Sequence, residues 1–123
     1  MPKHIYLLED NDDIREIVEL LLEGEVLHVS SFPDVASLDK ALIQQVPDAF
    51  ILDVMLPDGN GIEVCSRLKA DEATLKIPVV MMSANYNASQ MSELCSADDF
   101  ISKPFDIADF TNRIAVQLGL EGL

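Results

Sequence analysis

The chain has no tryptophan, and aromatic residues make up only 6% of it. A core of that composition is aliphatic, which favours an α/β architecture over an aromatic-rich binding module. Positive charge is scarce as well: 8 Lys and Arg stand against 22 Asp and Glu, a formal net charge of −14. That balance argues against the domain itself gripping a nucleic-acid backbone or an anionic membrane. Cysteine is limited to Cys65 and Cys95, whose separation matches neither a metal-binding nor a redox spacing. Cys65 shares a helical spacing with Ile62 and Leu68 and reads as a small buried thiol. Two histidines, His4 and His28, read as isolated and structural or exposed. No hydrophobic run approaches membrane-spanning length, and the amino terminus carries no cleavable signal pattern. The expectation is a soluble, cytoplasmic protein with no membrane contact.

What is present is a hydrophobic fraction of 49% in 123 residues, enough for one continuous core. We expect a single domain over 1–123, with no output domain in this chain. Apolar runs near 5–8, 26–32, 49–52, 79–82 and 99–101 predict strands. Ile14, Ile17, Val18, Leu21 and Leu22 predict a first helix, opened by Asn11-Asp12-Asp13 and ended by Gly24. Asp34 opens a second, with Val35, Leu38 and Leu42, closed by Pro47. Ile62, Cys65 and Leu68 mark a third. Ile107, Phe110, Ile114 and Leu118 mark the last, stopped by Gly119. Between them, Ala88 to Cys95 is rich in Asn and Ser, poor helix formers, so this helix is expected to be short and mobile. Alternating strands and helices imply a parallel sheet covered on both faces, and right-handed crossovers leave a few doubly wound orders.

The strand ends carry the chemistry. The first run stops at Glu9-Asp10, the third at Asp53, the fourth at Ser83, and the fifth at Lys103-Pro104. In an open α/β sheet, ligands bind at the carboxyl ends of the strands. Glu9, Asp10 and Asp53 would repel one another in a shared crevice unless a hard divalent cation relieved them, and Mg2+ suits oxygen ligands beside a phosphate. Lys103 adds fixed positive charge and Ser83 a hydroxyl donor. The set fits phosphoryl transfer, in which positioning and charge neutralisation dominate, and a carboxylate nucleophile can form an aspartyl-phosphate.

Four stretches carry a resemblance to a known family: Leu8-Glu9-Asp10-Asn11, the run from Leu52 through Asp53 to Gly61, Met82-Ser83-Ala84, and Ala97 through Lys103 to Phe105. In that order, over nearly the whole chain, they resemble the receiver domain of two-component response regulators, of the chemotaxis-protein type. The resemblance implies a flavodoxin-like, five-stranded parallel sheet in the order 2-1-3-4-5 with five helices. It implies that Asp53 accepts a phosphoryl group from a sensor histidine kinase or a histidine phosphotransfer protein. Asp10, Asp53 and the Met55 backbone carbonyl would hold Mg2+, with Glu9 acting through a water. Lys103 would hold a phosphoryl oxygen and, before that, pair with Asp53. Ser83 and the aromatic Phe100 would be the switch, and Lys103-Pro104 the place of a cis peptide. Such a domain is not a turnover enzyme, although it assists its own phosphorylation and dephosphorylation.

Some positions depart from the family pattern. The acid pair is Glu-Asp, Ser83 stands where threonine is frequent, and Phe100 where tyrosine is. The stretch from Ser83 to Ala97 is short, with Ser96 where glycine is usual. The Lys103-to-Arg113 spacing and Asp98-Asp99 resemble the transcription-factor branch, which forms a homodimer through the last two helices and the strand between them. Rival readings are weaker. A Mg2+-dependent phosphohydrolase would want an acid where Met55 stands. A flavodoxin-type flavin site would be repelled by Glu9 to Asp13. The remaining alternative is a phosphorylation-independent interaction module of the same fold.

Overall fold

The computed structural model describes residues 2–24 and 26–120. Five strands, β1 (Lys3–Leu8), β2 (Leu27–Phe32), β3 (Ala49–Asp53), β4 (Val79–Ser83) and β5 (Asp99–Ser102), form one parallel sheet in the order β2-β1-β3-β4-β5. They alternate with α1 (Asp12–Leu22), α2 (Val35–Gln44), α3 (Gly61–Ala70), α4 (Ala88–Leu94) and α5 (Ile107–Leu118). This is the expected doubly wound 2-1-3-4-5 sheet. A small antiparallel hairpin, Met55–Leu56 against Gly59–Asn60, occupies the segment that reads as a plain loop in the sequence.

Successive residues of each inner strand enter opposite layers, and both layers are dry, which is why these strands read as unbroken apolar runs. Ile5, Leu7, Ile51, Val80 and Met82 pack with Val18 and Leu22 of α1 and with Phe110 and Ile114 of α5. Tyr6, Leu8, Phe50, Leu52, Val79 and Met81 face the other way, onto Leu38 of α2, Val64, Cys65 and Leu68 of α3, and Met91 of α4.

The helix starts follow side-chain capping. Asn11 accepts the amide of Ile14 at 3.0 Å, Asp34 that of Ser37 at 2.8 Å, and Asp106 that of Asp109 at 2.9 Å. Gly119 ends α5 in the left-handed region, at φ 69°. Gly24 plays no such part: α1 ends at Glu23 in extended backbone, and Gly24 donates its N–H to Leu27 as the chain turns into β2. Ile107, counted in the apolar period of the last helix, is largely exposed. It is the first residue of α5, and the layer is filled from Phe110 onward. α4 is short, as expected from its composition. Its Asn and Gln also supply a capping box, in which Asn87 accepts from Gln90 N–H and the Gln90 side chain accepts from Asn87 N–H.

His4 and His28 are not isolated. Parallel register sets them side by side on β1 and β2, with ring centroids 4.9 Å apart. His28 Nδ1 lies 2.7 Å from Glu23, and His4 Nε2 lies 2.7 Å from the Ser30 hydroxyl.

Candidate functional site

Register assembles the site. Leu8 pairs with Leu52 across β1 and β3, so Glu9 and Asp53, each the next residue, emerge together. Asp53 pairs with Met82, placing Ser83 one step beyond it on β4. Ser83 pairs with Ser102, and Lys103 follows directly. Four segments remote in sequence therefore end together at the carboxyl end of the sheet, where open α/β folds bind their ligands.

Glu9, Asp10 and Asp53 each present a carboxylate oxygen within 4.8 Å of the others. Their surroundings differ. Asp10 is exposed at the rim, Asp53 is buried, and Glu9 has no accessible surface. Glu9 Oε1 contacts Lys103 Nζ, Oε2 accepts the Asn11 amide at 3.3 Å, and its backbone carbonyl accepts from Arg15 Nη1 at 2.9 Å. Burial pushes the Glu9 carboxyl above its ordinary range; the contact with Lys103 opposes that, and Asp53 beside it pushes further up. Asp53 is held at both oxygens. Oδ1 accepts the Val54 amide at 2.8 Å, and Oδ2 lies 3.3 Å from Lys103 Nζ. Lys103 thus faces two carboxylates, Glu9 as well as Asp53, and its peptide bond to Pro104 is cis.

Ser83 is buried, and its Oγ accepts the amides of Asn85 at 3.0 Å and Tyr86 at 3.2 Å, fixing the turn that leads to α4. Phe100 is partly buried and packs into the layer shared with α3 and α4. Met55 opens the hairpin two residues past Asp53, with its side chain exposed, whereas Met81, Met82 and Met91 lie in the core.

Several contributions are not legible residue by residue in the sequence. Gly61 is more than a turn former: a Cβ there would lie 1.9 Å from the Asp53 carbonyl oxygen. Asp58 accepts the Val35 and Ala36 amides at 2.8 and 3.0 Å, so the loop after Asp53 caps α2. The Asp-Gly-Asn-Gly run signals the turn but not this long-range partner. Arg113 pairs with Asp99 at 2.8 Å and Asp109 at 3.0 Å, both within the same chain.

The chain is similar to known proteins over nearly its whole length. It is 38% identical over 117 residues to the transcriptional regulatory protein CseB of Streptomyces coelicolor, covering 94% of this chain and 49% of that protein. It is 33% identical over 123 residues to the phosphate regulon transcriptional regulatory protein PhoB of Pseudomonas aeruginosa, covering 98% of this chain and 53% of that one. The chain therefore spans about half the length of these curated relatives. Among solved structures, a putative response regulator from Chloroflexus aurantiacus superposes with a TM-score of 0.87 at 27% identity, covering 97% of this chain and 99% of that one. The receiver domain of a Pseudomonas aeruginosa sensor histidine kinase, solved with a magnesium ion in its active-site cleft, shares the fold. Its TM-score is 0.84 at 22% identity, over 97% of this chain and 99% of that one. The profile of the family described as response regulator receiver domain matches residues 5–115, and with four strand ends converging on Asp53, the chain belongs to that family.

Proposed function

We propose that Asp53 is the phosphoacceptor of this receiver domain. The observation that carries this reading is the meeting of three carboxylates within 4.8 Å beside a lysine 3.3 Å from Asp53. The Asp53 oxygen forms a bond to phosphorus as the bond from phosphorus to the imidazole nitrogen of a phosphohistidine breaks. The donor is a sensor histidine kinase or a histidine phosphotransfer protein, and the domain is a phosphoacceptor that assists its own phosphorylation and dephosphorylation. The amide of Val54 and Lys103 orient the Asp53 carboxylate before attack. Lys103 then pairs with a phosphoryl oxygen.

The donor set is three carboxylates and a backbone carbonyl, all oxygen, which fits Mg2+. Asp10, Asp53 and the Met55 carbonyl would hold it, with Glu9 acting through a water. Mg2+ would neutralise charge on the phosphoryl oxygens. Ser83 accepts two amide protons, and a hydroxyl that accepts through its lone pairs keeps its own proton to donate. Turning toward the phosphoryl group would release the Asn85 and Tyr86 amides and open space beside Phe100. The output face around α4, β5 and α5 would follow, including a homodimer formed there. Among the described residues no helix is long and apolar enough to cross a membrane. A cytoplasmic setting is part of the proposal.

Incubation with Mg2+ and acetyl phosphate, followed by intact-mass measurement beside Asp53→Asn, tests this. One phosphoryl adduct is expected, dependent on both Mg2+ and Asp53. No adduct with acetyl phosphate or with a phosphohistidine donor would overturn the reading in favour of a phosphorylation-independent interaction module.

A further inference from the structure

The hairpin after Asp53 is held at both ends. At its base, Gly61 donates its N–H to the Val54 carbonyl at 2.8 Å, and Asn60 Oδ1 accepts the Ile62 amide at 2.7 Å as α3 begins. At its tip, Asp58 Oδ1 and Oδ2 accept the Val35 and Ala36 amides of α2 at 2.8 and 3.0 Å. Base and tip are joined by the paired segments Met55–Leu56 and Gly59–Asn60. Leu56 and Val35 pack against one apolar layer. Gly59 comes so near to α2 that a Cβ there would lie 3.2 Å from a Val35 methyl.

A helix start leaves its first amides without intrahelical partners. In α2 the local cap is Asp34, which takes the Ser37 amide at 2.8 Å. Asp58 is a second cap, from 23 residues away, with both carboxylate oxygens engaged. The positive end of the helix favours a carboxylate at that place. Such a bond constrains both of its partners, so the hairpin is fixed as much as the helix. Met55, two residues past Asp53, opens that hairpin.

We propose that Asp58 is a positioning residue for the metal site, tethering the hairpin to α2 so that the Met55 carbonyl is held ready for a divalent cation. This role rests on the reading of Met55 as a ligand of Mg2+. Without the tether the hairpin is anchored only at its Val54–Gly61 base, and Met55 gains freedom that binding must remove. Coupling of this kind is reciprocal: a tether that favours the cation is favoured by the cation to the same degree. The amino end of α2 thus senses a site to which it gives no ligand.

Mg2+ affinity of the full chain is measured by calorimetric titration for wild type, Asp58→Ala, Asp58→Asn and Asp34→Ala. Amide exchange at residues 35–37 is followed in Mg2+ and in chelator. Asp58→Ala should weaken Mg2+ binding about tenfold. Asp58→Asn keeps one acceptor oxygen and should lose less. Asp34→Ala uncaps the same helix without touching the hairpin, so it should lower the unfolding midpoint and leave Mg2+ affinity unchanged. In wild type, saturating Mg2+ should slow exchange at Val35 and Ala36 about tenfold; in Asp58→Ala it should slow neither. With acetyl phosphate, Asp58→Ala should react slowly at low Mg2+ and recover when Mg2+ saturates. Wild-type affinity in Asp58→Ala, or equal weakening by Asp34→Ala, would overturn the tether. Equal losses in the Ala and Asn variants would reduce the effect to one charge and overturn it as well. A wild-type protein that binds no Mg2+ would overturn both the tether and the metal site. One that binds Mg2+ yet forms no phosphoryl adduct would overturn the reading of Asp53 and not the tether.

Discussion

Lys103 reaches Glu9 across the mouth of the sheet, although β3 and β4 lie between the strands that deliver them. Glu9 is the most enclosed of the three site carboxylates, and its other oxygen is taken by the Asn11 amide. The lysine therefore stabilises two acids at once, one fully enclosed and one at Asp53.

This arrangement predicts energetic coupling. Lys103→Met leaves two buried carboxylates without a counter-charge and should destabilise the fold, whereas adding Glu9→Gln should recover part of the loss. Urea unfolding of the two single variants and the double variant in chelator should give a coupling energy of about 1–3 kcal/mol. Strict additivity would mean that the contact contributes nothing.

A second prediction concerns acid. His4 has its pKa lowered below 6.5, first by burial and then by His28, with Asp48 and Glu23 opposing. The unfolded chain therefore takes up this proton before the folded one does. His4 costs nothing well above pH 6.5, and stability is lost as pH falls through 6.5 toward the lower folded value. His4→Gln should lessen that decline, seen as a narrowing gap between wild-type and variant unfolding midpoints as acid is added. Parallel curves would contradict it.

Two glycines beside the site should respond unequally. At Gly61 a methyl group would collide with the Asp53 backbone, 1.9 Å from its oxygen and 2.8 Å from its carbon. At Gly59 it would meet only a Val35 methyl at 3.2 Å, the end of a side chain. Gly61→Ala should cost about 1–3 kcal/mol in chemical denaturation and disturb phosphorylation at Asp53. Gly59→Ala should be much milder. Equal effects would show that the close approach at Gly61 is relieved without cost.

Ser83→Ala removes the acceptor for two amides at the start of the turn into α4. Hydrogen exchange at Asn85 and Tyr86 should accelerate, with a global loss of about 1 kcal/mol. Unchanged exchange there would mean that the turn stands without the hydroxyl.

Much of this protein was legible in its sequence. Unbroken apolar runs such as Ala49 to Leu52 need cover on both faces, so the sequence alone implied a parallel sheet under helices. Caps such as Asn11 and Asp34 marked helix starts through purely local hydrogen bonds, as Gly119 marked an end. The residues at the strand ends could be named because strand length and turn chemistry are local properties. Gly24 was misjudged for the converse reason: a local signal was overridden by where the chain goes next.

What only tertiary structure decided is who meets whom. The register of Leu8 with Leu52 and of Ser83 with Ser102 converts four separate strand ends into one site. The contact of Lys103 with Glu9, the Asp58 cap on α2 and the His4–His28 pair all join segments distant along the chain. Spacing in a sequence encodes the faces of single helices and strands. Partners across elements are set by the packing of both layers at once, which no local window contains.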